Sequence, residues 1–195
     1  MRRRLAASHA RWESMKSAIR VAVHFLLLIG ALVVAGAGDA SAQSASAPPP
    51  LSVSGWRYEK GQSDMHLFHC ELAKCGTNSK VSYRLYAPGN PMTLQQYRDS
   101  QQQLVGALEQ RTPGLKVTIL GVDGDKGTGV PRLYKARRLM VAPGGQREYV
   151  ASGLMFGSRA SASLISSSQD EKASNDNYAQ FAVALTMLVQ TPSTR

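Results

Sequence analysis

From Leu115 onward the chain alternates apolar and polar residues in short runs separated by glycine, and that repeat is what most limits its fold. Leu115, Val117 and Ile119 alternate with Lys116 and Thr118, the period of a half-buried strand. A glycine-bearing loop at 123–129 precedes a long run at 130–141. Ala142-Pro143-Gly144-Gly145 connects tightly to a run at 147–156, and Gly157-Ser158-Arg159 turns into another at 160–167. Four strands this close together predict an antiparallel meander.

Shorter runs lie upstream. Residues 53–60 hold Trp56 and Tyr58, Gly61 to Asp64 form a turn, and residues 65–71 read as the partner strand. Val81, Tyr83 and Leu85 then alternate with Ser82 and Arg84. Between the two strand groups, Thr93-Leu94-Gln95-Gln96 fits a capping box, with Thr93 as N-cap and Gln96 reaching back. The helix is expected to end near Arg111, before Pro113-Gly114, with Leu94, Tyr97, Leu104, Val105 and Leu108 on one stripe. After a polar stretch at 168–174, Asn175-Asp176-Asn177 predicts a second helix start. Its stripe is Tyr178, Phe181, Leu185 and Leu188, and it ends before Pro192. The predicted class is α+β, an antiparallel sheet with two packed helices.

This order resembles the Mog1/PsbP-like fold. The features carrying the resemblance are Met92-Thr93-Leu94-Gln95-Gln96-Tyr97 at the first helix, the strand pair at 149–168, and the final helix around Tyr178 and Phe181. The resemblance implies a small, non-catalytic accessory or binding domain. It transfers no binding residue, because no family motif aligns here.

The N-terminus indicates destination. Residues 25–37 are continuously apolar or glycine, follow a basic segment and precede Ala40-Ser41-Ala42. That is the pattern of a cleavable signal peptide, too short to span a bilayer. The expectation is Sec-type export to the periplasm or beyond, with residues 1–42 removed after Ala42. Met15 is an alternative start. Residues 43–50 read as a Ser/Ala/Pro-rich linker, 51–190 as one domain and 191–195 as a tail.

Of 23 basic and 13 acidic residues, six and two fall within 1–42, leaving 17 against 11 and a net of +6. This moderate positive charge favours anionic lipid headgroups, acidic polysaccharide or acidic proteins. Nucleic acid does not fit the expected compartment. The membrane enters only through the leader before cleavage, and no cofactor is expected.

Chemistry is densest at His66, His69, Cys70 and Cys75, which are all the histidines and cysteines after residue 42. An exported chain with two cysteines predicts a Cys70–Cys75 disulfide. The alternative is a metal protein or enzyme using His66, His69 and Cys70, and strand alternation places His69 opposite the other two. Asp123-Gly124-Asp125 faintly resembles a calcium loop, but Tyr134 stands where the closing glutamate belongs. Arg132, Lys135, Arg137 and Arg138 are the one dense basic run, read either as a charged edge strand or as a partner-binding surface. No nucleophile elbow or carboxylate pair stands out. The expected role is non-enzymatic binding to a protein or an anionic envelope component.

Overall fold

The alternating runs become seven strands, each antiparallel to its neighbours, in the computed structural model, which describes residues 51–125, 129 and 131–190. The predicted leader, its cleavage after Ala42, the Met15 start, the linker at 43–50 and the tail at 191–195 lie outside the described residues. The strands are β1 (Trp56–Lys60), β2 (His66–Cys70), β3 (Lys80–Tyr86), β4 (Lys116–Gly124), β5 (Arg132–Val141), β6 (Arg147–Phe156) and β7 (Ser161–Ser168). The helices are α1 (Leu94–Arg111) and α2 (Glu171–Val189), and a 3-10 turn spans Ala73–Cys75. The strand order is β1-β2-β3-β7-β6-β5-β4. Two meanders, β1–β3 and β4–β7, are thus joined where β3 pairs with β7, Tyr83 opposite Leu164.

Alternation sends side chains to two faces, and each face takes one helix. Val81, Tyr83, Ala151, Met155, Ala162 and Leu164 meet Tyr178, Phe181 and Leu185 of α2. Burying a side chain of this size stabilises by about 1.5–3 kcal/mol, so this face carries most of the core. On the opposite face Tyr97 of α1 packs on Tyr134 and Ala136, with Leu154 and Phe156 beside them. Gly153 lies between these layers. A Cβ there would overlap the Tyr178 hydroxyl and the Tyr134 carbonyl.

The capping box closes as the sequence predicts. Gln96 N–H donates to Thr93 Oγ1 at 3.1 Å, and Thr93 N–H donates to Gln96 Oε1 at 2.7 Å. The buried stripe of α1 includes Gln101 as well as Tyr97 and Leu108. The start of α2 differs from expectation. Asp170, not Asn175, is the N-cap, and its carboxylate accepts from Ala173 N–H at 2.7 Å. Residues 171–174 of the polar stretch form the first helical turn, and Ser174 turns inward. Its hydroxyl donates to the Ser166 carbonyl and accepts from Ala151 N–H, both at 3.2 Å. These bonds let a polar residue occupy a buried helix face.

Two further expectations need correction. The basic run lies on β5, which is paired on both sides, by β4 and β6. It is not an edge strand, because the edges are β1 and β4. Asp123 and Gly124 belong to β4, and Asp125 Oδ2 accepts from Leu133 N–H at 3.0 Å across the connection to β5.

Candidate functional site

The histidines and cysteines do not converge. His66 is buried on the α2 face, stacked on Tyr83 with ring centroids 4.5 Å apart, and its Nδ1 lies 3.1 Å from the Tyr58 hydroxyl. Burial lowers its pKa, with the Lys60 charge adding to the effect and Asp64 opposing it. His69 points to the other face, where Nε2 lies 3.2 Å from Glu59 Oε2. Cys70 is four residues along β2 from His66, about 13 Å at strand rise, too far for one ion to join them. Among the described residues no three of His, Cys, Asp and Glu are grouped to hold a metal. Cys70 and Cys75 are instead at disulfide distance, with Cα atoms 6.2 Å apart. The turn they bracket is docked on α2, since Asn177 Nδ2 donates to the Cys75 carbonyl at 2.9 Å.

The basic run is engaged within the fold. Lys135 Nζ lies 4.9 Å from the centre of the Tyr178 ring, and burial, then the Arg137 charge, lowers its pKa. Arg137 pairs with Glu171 at 3.4 Å. Arg132 begins β5 and is half-buried. Arg138 is 1% exposed and so is no partner-binding residue. Its Nη1 donates to Gln101 Oε1 and its Nη2 to Ser152 Oγ at 2.9 Å, while Nε has no partner among the described residues. Tyr97 donates to the Ser152 carbonyl at 3.2 Å, and burial pushes its pKa up to about 12. Strand alternation puts Arg138 on the opposite face from Lys135 and Arg137, and α1 covers the Arg138 side.

A shallow surface dimple lies beside Arg137, between Leu120, Tyr149, Glu171 and Asn175, and encloses no space for even a water molecule. It does not define a small-molecule site.

The arrangement with unengaged charge lies elsewhere. α1 packs on β4 and β5 and reaches β6 through Tyr97 and Ser152. On that same face no helix of the described residues is stacked on β7, β3, β2 and β1. β3 presents Lys80, Ser82, Arg84 and Tyr86 there, opposite Ser167, Ile165, Ser163 and Ser161 of β7. Lys80 and Arg84 are half-buried, and neither forms an ion pair among the described residues. The nearby acid, Glu59, is held by Arg57 at 3.8 Å and His69 at 3.2 Å. Ser82 and Ser167 are recessed between the longer side chains. Tyr86 is exposed at one end, its hydroxyl 3.3 Å from Ser163 Oγ. The buried Arg138 guanidinium reaches Ser152 on β6, at the inner margin of this face. The surface is therefore a cation-bearing polar step beside α1. The sequence showed the alternation of Ser82 and Arg84 but not which side would lie open, because that depends on β3 meeting β7 and on where α1 lands.

No family model matches the chain, and no curated protein matches it. Among solved structures it resembles cyanobacterial PsbP (CyanoP) from Synechocystis sp. PCC 6803, in solution, with a TM-score of 0.46 and 8% identity. The match covers 70% of this chain and 79% of that one. It is a likeness of fold alone, of the kind the element order suggested, and it assigns no residue a role.

Proposed function

We propose that this is an exported, non-enzymatic binding module that engages an anionic envelope component through the open half of its sheet. The observation that carries the reading is the pair of cations Lys80 and Arg84, without carboxylate partners among the described residues, on the half of the sheet face that α1 leaves uncovered. Opposite charge steers and retains a partner at such a surface. Export is supported by the leader pattern in residues 1–42 and by a cysteine pair at disulfide distance, which suits an oxidising compartment. The metal-centred alternative draws no support from the separate positions of His66, His69 and Cys70.

Two measurements test the reading. The protein recovered by osmotic extraction of producing cells should begin at Gln43; a cytosolic product retaining residues 1–42 contradicts export. The recovered protein should co-sediment with envelope fragments in low salt and be released in high salt. Lys80→Gln/Arg84→Gln should weaken that retention, and equal retention of the variant contradicts the assigned surface.

A further inference from the structure

We infer that the open half-face is a groove for an acidic polysaccharide chain, a conclusion that rests on the binding role proposed above. Lys80 and Arg84 are four residues apart on one strand, so their Cα atoms are separated by about 13 Å. Both point to the same side of β3 as Ser82, which lies recessed between them. A single carboxylate or phosphate meets one of these cations. A chain with repeated charge meets both, and the second contact then forms at high effective concentration.

The surroundings select a slim, flexible ligand. α1 stands on the neighbouring half of the same face, and a helix with its side chains is about 10–12 Å thick. A flat bilayer resting on α1 is held away from Lys80 and Arg84, whereas a chain lies along the step at the foot of the helix. Four strands, β1 to β7 in sheet order, give the step a width of about 14 Å between the outer strand axes. A protein partner normally buries large apolar or aromatic anchors at the centre of its contact. Among the described residues the exposed large hydrophobics are Leu72, Tyr86, Leu120, Val183 and Met187. Of these Tyr86 belongs to this face, at its end, while Ile165 and Leu67, which flank Ser82 at the centre, are half-buried between the longer polar side chains. Tyr86 and Ser163 supply hydroxyls beside Arg84, matching the hydrogen-bonding needs of sugar rings. Arg138, buried under α1, adds positive potential at the inner margin, where solvent screens it little.

The test is isothermal titration of the full chain, in whichever processed form it is purified, with polygalacturonate in low salt. Parallel titrations use monomeric galacturonate, neutral dextran, polyglutamate, and vesicles of equimolar phosphatidylglycerol and phosphatidylcholine. The expected result is salt-sensitive binding of polygalacturonate, at least about a hundredfold tighter than the monomer, with no binding of dextran. Lys80→Glu/Arg84→Glu should lower the affinity at least about tenfold. Arg147→Glu/Lys172→Glu changes net charge equally from exposed sites outside this face, and should lower it less than about threefold. Lys80→Gln/Arg84→Gln, with its fold checked by circular dichroism, covers the case in which the glutamates impair folding. Equal losses in the two glutamate pairs overturn the groove. Binding of vesicles or polyglutamate as tightly as polygalacturonate overturns the sugar assignment and leaves the anionic-partner reading standing. Failure of every polyanion to bind a folded protein overturns the inference, while envelope co-sedimentation decides the broader reading independently.

Discussion

Replacing Gln101 with leucine should destabilise the domain by about 2 kcal/mol, although leucine is the better residue for an apolar helix stripe. Gln101 is 7% exposed, and its Oε1 accepts from a guanidinium that is 1% exposed. Without that acceptor, Arg138 keeps the Ser152 hydroxyl as its one hydrogen-bond partner among the described residues. A hydrogen bond to a charged group contributes about 1.5–3 kcal/mol net, and an orphaned buried charge costs more than its lost bond. Apolar burial of leucine offsets about 1 kcal/mol of this. At about 3 °C per kcal/mol for a domain of this size, the melting temperature should fall by about 6 °C. Arg138→Met/Gln101→Leu removes the charge together with its acceptor and should recover at least half of the loss, since an apolar pair can replace a buried charged group at little net cost. Urea unfolding followed by circular dichroism measures these two variants together with Arg138→Met alone. Strict additivity of the two substitutions, or a Gln101→Leu effect within about 0.5 kcal/mol of zero, would refute the view that Gln101 compensates a buried charge.

Gly153→Ala should cost about 1–3 kcal/mol, because the added methyl overlaps Tyr178 and the Tyr134 carbonyl; unchanged thermal stability contradicts the close approach of these layers. Cys70→Ser/Cys75→Ser should lower stability by about 2 kcal/mol in the loop-closure model, and dithiothreitol should lower the wild-type melting temperature similarly. Absence of a reductant effect would show that the two sulfurs are not bonded. Burial depresses the His66 pKa below 6.5, so the unfolded chain binds its proton first as pH falls. The stability that the neutral ring contributes is present above pH 6.5 and is lost as pH drops from there through the lowered folded-state pKa. His66→Phe should therefore flatten the melting temperature between pH 7 and 5 relative to wild type; identical pH profiles contradict this assignment.

Local chemistry was legible wherever the sequence alone determined it. Thr93 and Gln96 are three residues apart, so the capping box of α1 needed no tertiary information. The Arg147–Phe156 and Ser161–Ser168 strands followed from alternation bounded by turns. The start of α2 was missed because Asn175-Asp176-Asn177 offered good capping chemistry, whereas Ser174 joins the helix through bonds to Ser166 and Ala151 on distant strands. Arg138 was misread for the same reason. An arginine on a strand is expected in solvent, and only Gln101 on α1 and Ser152 on β6 make its burial tolerable. Lys80 and Arg84 were not recognisable as a surface, because β3 pairs with a strand some 80 positions later in the chain. Long-range pairing decides which face stays open, and no periodicity encodes it.

The most direct measurement is amide chemical-shift mapping of the isotopically labelled protein as short oligogalacturonates are added. Perturbations should gather on β3 and β7, at Lys80, Ser82, Arg84 and Ser163, and disappear in high salt. Perturbations centred on α2 or on the Lys135–Arg137 side of β5, or none on β3 under saturating ligand, would contradict the assignment of the open half-sheet as the binding surface.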